Sequence, residues 1–482
     1  MAYPNFPGLS MRLQAVLVFI AMVCAASAAG AADPVKRSPH EQKAREIYAK
    51  VIAMPTSKGN GQVPVMAEYL AGELRAAGFP AADIHVVPFE GVDDKTASLV
   101  VRYRGNGKGG KPILLMAHMD VVAAKREDWE RSPFELIEEN GFFYGRGTYD
   151  VKQGVVAITS TFLRLKAEGF VPSRDLILYF SGDEETAQAT TLNIAKGHRA
   201  LIDAEFALNS DGGGGLLDDA TGKPLYYSLQ TAEKTYADFT VTARNPGGHS
   251  SQPRADNAIY DLAVALLKVR DYKFPVMWND TTVASLGQAG TMTTGELGEA
   301  LRKFADNPGD AAAAAVIAGD PSYVGQTRTT CVATMLDGGH GENALPQSAR
   351  ANVNCRIFPG VKIEDVRLVL QQAAGSGVEV KLVGEPLWSD ASPLRPDVLK
   401  AVTRAVHKIQ PGVPVVPSQS SGATDGLVFR SVGIPTYGVD GNFMKSKDDF
   451  SHGLNERLGV QSFYDSLTFW HTLVTELAGR RR

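Results

Sequence analysis

The stretch Pro112-Ile-Leu-Leu-Met-Ala-His-Met-Asp120 decides the fold. It opens with an unbroken apolar run, the pattern of a strand buried on both faces, and the run stops at a histidine and an aspartate two positions apart. A strand buried on both sides needs helices on both sides. Val155, Ile158, Thr159, Phe162 and Leu163 recur at helical spacing, residues 176–180 and 206–208 form further apolar runs, and a helix falls around residues 192–202. Buried strands alternating with amphipathic helices predict an α/β catalytic domain with a mostly parallel central sheet and helices on both faces.

Near Thr235 the texture changes to alternation, in Tyr236-Ala-Asp-Phe-Thr-Val-Thr242, which suits a strand covered on one face only. A helix at 258–269, an alanine-rich stretch at 310–319, two β-like runs at 330–336 and 351–357 and a helix at 363–373 follow. Helices on one face of an antiparallel sheet predict a separate α+β unit. After Trp388 the α/β texture returns, with a helix at 396–409 and a short strand at 434–439. The expected plan is a signal peptide at 1–32, a catalytic domain in two parts at 33–234 and 387–482, and an inserted lid domain at 235–386.

Residues 13–23 are nearly all apolar, Arg12 precedes them, and the small-residue sites Ala26-Ser-Ala28 and Ala29-Gly-Ala31 follow. That layout predicts export to a periplasm or the medium, with no membrane span once the signal is cleaved. Net charge is -4 with interspersed signs, which gives no footprint for nucleic acid. Cys331 and Cys355 lie in the two β-like runs, either as a disulfide or as two buried thiols; neither belongs to a metal or redox motif.

The chemistry-bearing residues follow the apolar runs. His118 and Asp120 project to one side of an extended chain, where Asp120 is spaced to accept the second N–H of a metal-binding imidazole. Asp150 closes the glycine-rich turn Gly145-Arg-Gly-Thr-Tyr-Asp150 before a helix, as a cap or as a carboxylate bridging two cations. In Ser181-Gly-Asp-Glu-Glu-Thr186, the adjacent Glu184 and Glu185 diverge, so one can ligate a metal while the other serves as a general base. Asp183 has no assigned role. Asp211 and His452 also follow apolar runs, and such strand ends are where open α/β sheets build their sites. Histidines and carboxylates without thiolate suit zinc, with cobalt or manganese as alternatives.

Together with "GRGTYDVKQG", "NSDGG", "GGHSSQP", "ENALPQSARANVNCRIFPG", "SGATDG" and "SHGLNERLG", these motifs resemble the M20 family of metallopeptidases over most of the chain. The resemblance implies two zinc ions bridged by Asp150, with His118 and Asp211 completing one site and Glu185 and His452 the other. It implies Glu184 as general base, Asp120 orienting His118, and a homodimer in which His249 of the lid reaches the partner's site to stabilise the oxyanion. Arg356 matches an arginine that binds a substrate carboxylate, Asn343 a substrate contact, and Gly422, Thr424 and Asp425 a substrate-facing loop. Two departures stand out: Thr186-Ala-Gln-Ala-Thr190 lacks a glycine common in relatives, and the lid carries extra sequence at roughly residues 271–323.

The expected activity is therefore hydrolysis of an amide bond next to a free carboxylate, by a carboxypeptidase or dipeptidase. An N-acyl amino acid amidohydrolase is the alternative enzyme. A catalytically silent peptide-binding protein is the alternative from another class, but it would be expected to have lost a ligand or the base, whereas every such position is filled here.

Overall fold

The computed structural model of the chain describes residues 36–90 and 95–479. The expected signal peptide and its cleavage sites lie outside the described residues. The chain divides into two compact units, Met1–Gln42 and Lys43–Arg482, and the second holds both large sheets and every candidate site residue.

Strand Ile113–His118 sits near the middle of a mixed ten-stranded sheet. It pairs in parallel with Leu176–Ser181 on one side and Phe206–Asn209 on the other, and Thr436–Gly438 extends the parallel block. Antiparallel strands Ile84–Glu90 and Lys95–Tyr103 finish one edge; Pro224–Glu233, Gly214–Leu217, Phe443–Lys445 and Val415–Ser420 build the other. Side chains alternate between the faces, as the pleat requires. Leu115, Leu178 and Phe180 meet Val155, Ile158 and Phe162 of helix Lys152–Ala167 and Phe469 of helix Val460–Ala478. Leu114, Met116, Ile177 and Tyr179 meet Ile194, Ile202 and Phe429 on the opposite face. The uninterrupted apolar runs arise from this two-sided burial.

A second sheet, wholly antiparallel, has the order Thr330–Gly338, Ser348–Ile357, Thr235–Arg244, Val378–Val383. Helices Ala258–Asp271 and Ile363–Ala374 cover the face bearing Ala237, Phe239, Val241, Val353 and Ile357. Cys331 opposes Cys355 in the register and is joined to it by a disulfide, so of the two states open in the sequence the pair adopts the bridged one.

The extra segment forms helices Asp280–Met292, Gly295–Asp306 and Ala311–Ala318, which share a small core of Leu286, Leu301, Phe304 and Ile317. Its first helix is tied to the central sheet by a 2.6 Å hydrogen bond between the Thr281 and Thr231 hydroxyls. The helix read around 192–202 is two helices, Ala189–Gly197 and Arg199–Ile202, separated at His198.

Candidate active site

The parallel strands deliver their polar ends to one place. His118 closes its strand, the acidic loop follows Leu176–Ser181, and Asp211 lies two residues beyond Phe206–Asn209. Asp150 arrives from the turn before helix Lys152–Ala167 and His452 from the loop before Arg457–Gly459. Asp150 lies between the two imidazoles, Oδ1 3.1 Å from His118 Nε2 and Oδ2 3.0 Å from His452 Nε2. Glu185 Oε2 is 2.9 Å from His452 Nε2, and Asp211 Oδ2 is 3.9 Å from His118 Nε2. Donor atoms of His118, Glu184 and Asp211 lie within 4.8 Å of one another, as do those of His118, Asp150 and Glu185. His452 has left-handed backbone, φ 60°, which is uncommon away from glycine and concentrates at functional sites.

The electrostatics of this group call for cations. Burial raises Glu184 and Asp211 well above the carboxylate range, with the Asp211 charge adding to the effect on Glu184. Burial, reinforced by Asp150, lifts Glu185 to about 7. Asp150 alone goes the other way, because hydrogen bonds from His118 and His452 outweigh its burial. Its hydrogen bond to Asp150 holds His452 near 9. Among the described residues, Glu185 Oε1 is buried without a hydrogen-bond partner. Converging carboxylates that tend to hold protons, an orphaned oxygen and a carboxylate with one oxygen toward each imidazole fit two divalent cations of the nitrogen/oxygen-loving kind. His118, Asp150 and Asp211 would hold one, and Asp150, Glu185 and His452 the other.

The supporting groups refine the expected roles. The backbone carbonyl of Asp120, at 2.9 Å, is closer to His118 Nδ1 than its carboxylate oxygen at 3.6 Å. That carboxylate, while still facing His118 Nδ1, also accepts the amide N–H groups of Glu184 and Glu185, at 3.1 and 3.0 Å, and so aims both glutamates. Asp183, left without a role by the sequence, gains one here. It is buried and accepts the amides of Ala189 and Thr190, which caps the following helix. Where the expected glycine is missing, Gln188 occupies a positive φ of 51° and donates from its side chain to Glu184 Oε1 at 3.0 Å.

Sequence reasoning missed Glu456. It is fully buried and accepts the amides of Gly147, Tyr149 and Asp150 as well as a 2.7 Å bond from Arg146, which shapes the turn carrying Asp150. Its position four residues after His452 was the available signal.

Among the residues expected to face substrate, Arg356 lies over the Tyr236 ring and donates to the Ser421 carbonyl at 3.0 Å, which joins the second sheet to the loop of Gly422 and Thr424. The Thr424 hydroxyl donates to Glu233 and accepts from Asn209 and Gly426, so it holds this loop in place; Gly422 is exposed beside it. Asp425 accepts a hydrogen bond from Ser181 and is raised by burial to about 7. Lys234, also missed, is buried between the two sheets, donates to the Arg328 carbonyl at 2.9 Å and is lowered to about 7, by burial and then by the Arg356 charge. His249 and Asn343 stand elsewhere. Both are exposed, strand Gly248–His249 pairs with Ala344–Leu345, and the His249 ring hydrogen-bonds to Ser251. Among the described residues, no hydrogen bond or ion pair joins either side chain to the carboxylate cluster.

A family model, Peptidase family M20/M25/M40, matches residues 114–476. The chain belongs to this family. It is accordingly a hydrolase of the M20 metallopeptidase and amidohydrolase class, and the family is metal-dependent. The N-fatty-acyl-amino acid synthase/hydrolase PM20D1 of Homo sapiens is 28% identical, over 77% of this chain and 75% of its own length. The probable carboxypeptidase S-like 2 of Dictyostelium discoideum is 26% identical, over 78% and 74%. Among solved structures, the M20 family metallo-carboxypeptidase Sso-CP2 from Sulfolobus solfataricus superposes with a TM-score of 0.67 at 18% identity, covering 92% of this chain and 99% of that one. That likeness is one of fold, and it bears out the α/β class expected from the apolar runs.

Proposed function

We propose that the chain is an exported, dimeric, dinuclear zinc hydrolase that cleaves an amide bond next to a free carboxylate. The observation that carries this reading is the convergence of His118, Asp150, Glu185, Asp211 and His452 beside Glu184. Zinc held there supplies Lewis-acid stabilisation of charge developing on the scissile carbonyl. Glu184 takes the proton of the attacking water and returns it to the leaving amine, a shuttle helped by a carboxyl whose affinity for protons is raised. Arg356 pairs its planar guanidinium with the substrate carboxylate. The segment 235–386 acts as the inserted lid, joined to the catalytic part at Lys234.

Export is supported by the apolar N-terminal leader and by the Cys331–Cys355 disulfide, since such bonds persist in oxidising compartments. Dimerisation is supported by the outer edge of the second sheet. Among the described residues strand Thr330–Gly338 has an open edge, Met335 and Leu336 are 71% and 72% exposed, and Tyr260 and Val264 of the adjacent helix are exposed too. An open, apolar edge of this kind is protected by pairing with a second copy. His249 and Asn343, remote from their own cluster, then act on the partner's site.

The donor is a peptide in the carboxypeptidase or dipeptidase reading. The similarity to a human N-fatty-acyl-amino acid synthase/hydrolase favours a second one, an N-acyl amino acid. A panel of dipeptides and N-acyl amino acids with the zinc-loaded enzyme separates them: turnover confined to acyl donors discards the first reading, turnover confined to peptides the second. Hydrolysis that survives complete chelation of metal rejects both.

A further inference from the structure

The proposed lid contains a cavity that shares no lining residue with the carboxylate cluster. A cavity of about 890 Å³ lies between the end of helix Ala258–Asp271, helix Ala311–Ala318 and the start of strand Thr330–Gly338. This is within the range of about 300–1,000 Å³ typical of small-molecule sites. Its walls include Leu266, Phe274 and Val276, and among the described residues no acidic one lines it.

The alanine-rich helix explains why the space is open. Ala313 and Ile317 pack into the small core with Leu301 and Phe304, while Ala311, Ala315 and Ala318 line the cavity. These recur at i, i+4 and i+7, one helix face, and side chains that stop at Cβ leave the volume beyond them unfilled. A helix apolar on every side is normally covered on every side. Here Ala311 and Ala315 are exposed.

The lining also contains charge without a paired counter-ion. Arg270 pairs with Asp271, but Lys273 and Arg328 form no ion pair with a carboxylate among the described residues, and Arg328 Nε is buried with no hydrogen-bond partner. A buried guanidinium donor left unmatched is costly, and a carboxylate meets its planar fork well. Lys234 donates to the Arg328 carbonyl and Gln326 donates to the Gln419 carbonyl, so residues 324–328 form a partition between this cavity and the substrate loop.

The geometry points to a binding site for a free long-chain fatty acid, its alkyl chain along the alanine face and its carboxylate on Arg328. Displacement of bound cis-parinaric acid by palmitate, read by fluorescence on the full chain, tests the site without any turnover and therefore independently of the hydrolytic assignment. Palmitate is expected to displace the probe saturably and one-to-one. Ala315→Phe, which fills the alanine face at an exposed position, is expected to abolish displacement. Arg328→Met should weaken palmitate by at least about tenfold while leaving methyl palmitate unchanged, because only the charged headgroup loses its partner. If Ala315→Phe fails to fold, Arg328→Met with the acid and the ester decides the matter. Absence of saturable displacement, or equal loss of acid and ester in Arg328→Met, overturns the assignment. So does an Ala315→Phe chain that still releases the probe to palmitate but sediments as a monomer, since the face then belongs to a second copy.

Discussion

Glu184 and Glu185 are neighbours in the chain with different surroundings. Glu185 faces His452 at 2.9 Å, whereas Glu184 is met by the Gln188 amide and the charge of Asp211. Glu184→Gln keeps the size and the Gln188 contact but removes the proton acceptor. It should lower kcat by about 10²–10⁴-fold with metal content unchanged by elemental analysis; near-native kcat would remove Glu184 from the mechanism. Lys234 offers a pH-dependent test. Burial lowers it from 10.5 to about 7 in the fold, so between those values the unfolded chain binds more protons than the native one. Stability linked to Lys234 therefore rises as pH climbs from about 7 towards 10, and its cost is largest below 7. Lys234→Met should raise Tm at pH 6 relative to the parent, with the gain shrinking by pH 10 in parallel melts. An equal shift at both pH values would show that the lysine is not held neutral by the fold.

At the scale of elements, the site depends on how one loop shapes another. Glu456 closes the loop after His452, and its carboxylate gathers the amides of the turn that presents Asp150. Glu456→Ala leaves Arg146 buried without its partner, which typically costs about 3–5 kcal/mol. It also releases Asp150, the proposed bridging ligand, from its support, for which about 10–100-fold weaker metal binding is expected. Chemical denaturation and a competitive zinc titration read the two effects; an unchanged metal affinity would confine Glu456 to a structural role. Element by element, legibility followed burial symmetry. Helix Pro396–Ile409 is read to the residue because its apolar stripe is one-sided, with buried Val398, Ala401, Val402 and Ala405. The antiparallel edge strands Ile84–Glu90 and Lys95–Tyr103 and the small sheet of Ile137–Glu139, Phe142–Tyr144 and Arg457–Gly459 went unread. The two flanking strands of the small sheet are three residues long, too short to show a period.

Across the whole molecule, the proposed dimer assigns the exposed His249 and Asn343 to the partner's site. If His249 serves the partner's site, mixing inactive His249→Ala chains with inactive Glu184→Gln chains should restore activity. Random pairing makes half of the dimers mixed, and each mixed dimer has one complete site, so recovery should approach about one quarter of the parental rate. No recovery after verified subunit exchange would place the histidine outside the partner's chemistry. Met335→Arg with Leu336→Arg should shift sedimentation to the monomer, because both side chains stand exposed at the open edge.

The sequence by itself determined the α/β class and the candidate ligands, because both are recorded locally: a run apolar on every position means burial on both faces, and polar residues at its end mark the sheet's carboxyl edge. It also put Cys331 and Cys355 in two β-like runs. The tertiary structure decided what depends on residues far apart in the chain. It bridged the cysteines, set Asp150 between histidines 32 positions before it and 302 after it, turned the Asp120 carboxylate toward the glutamate amides, and buried Lys234 and Glu456. Hydrogen-bond geometry and desolvation act through space, so no window of sequence carries them.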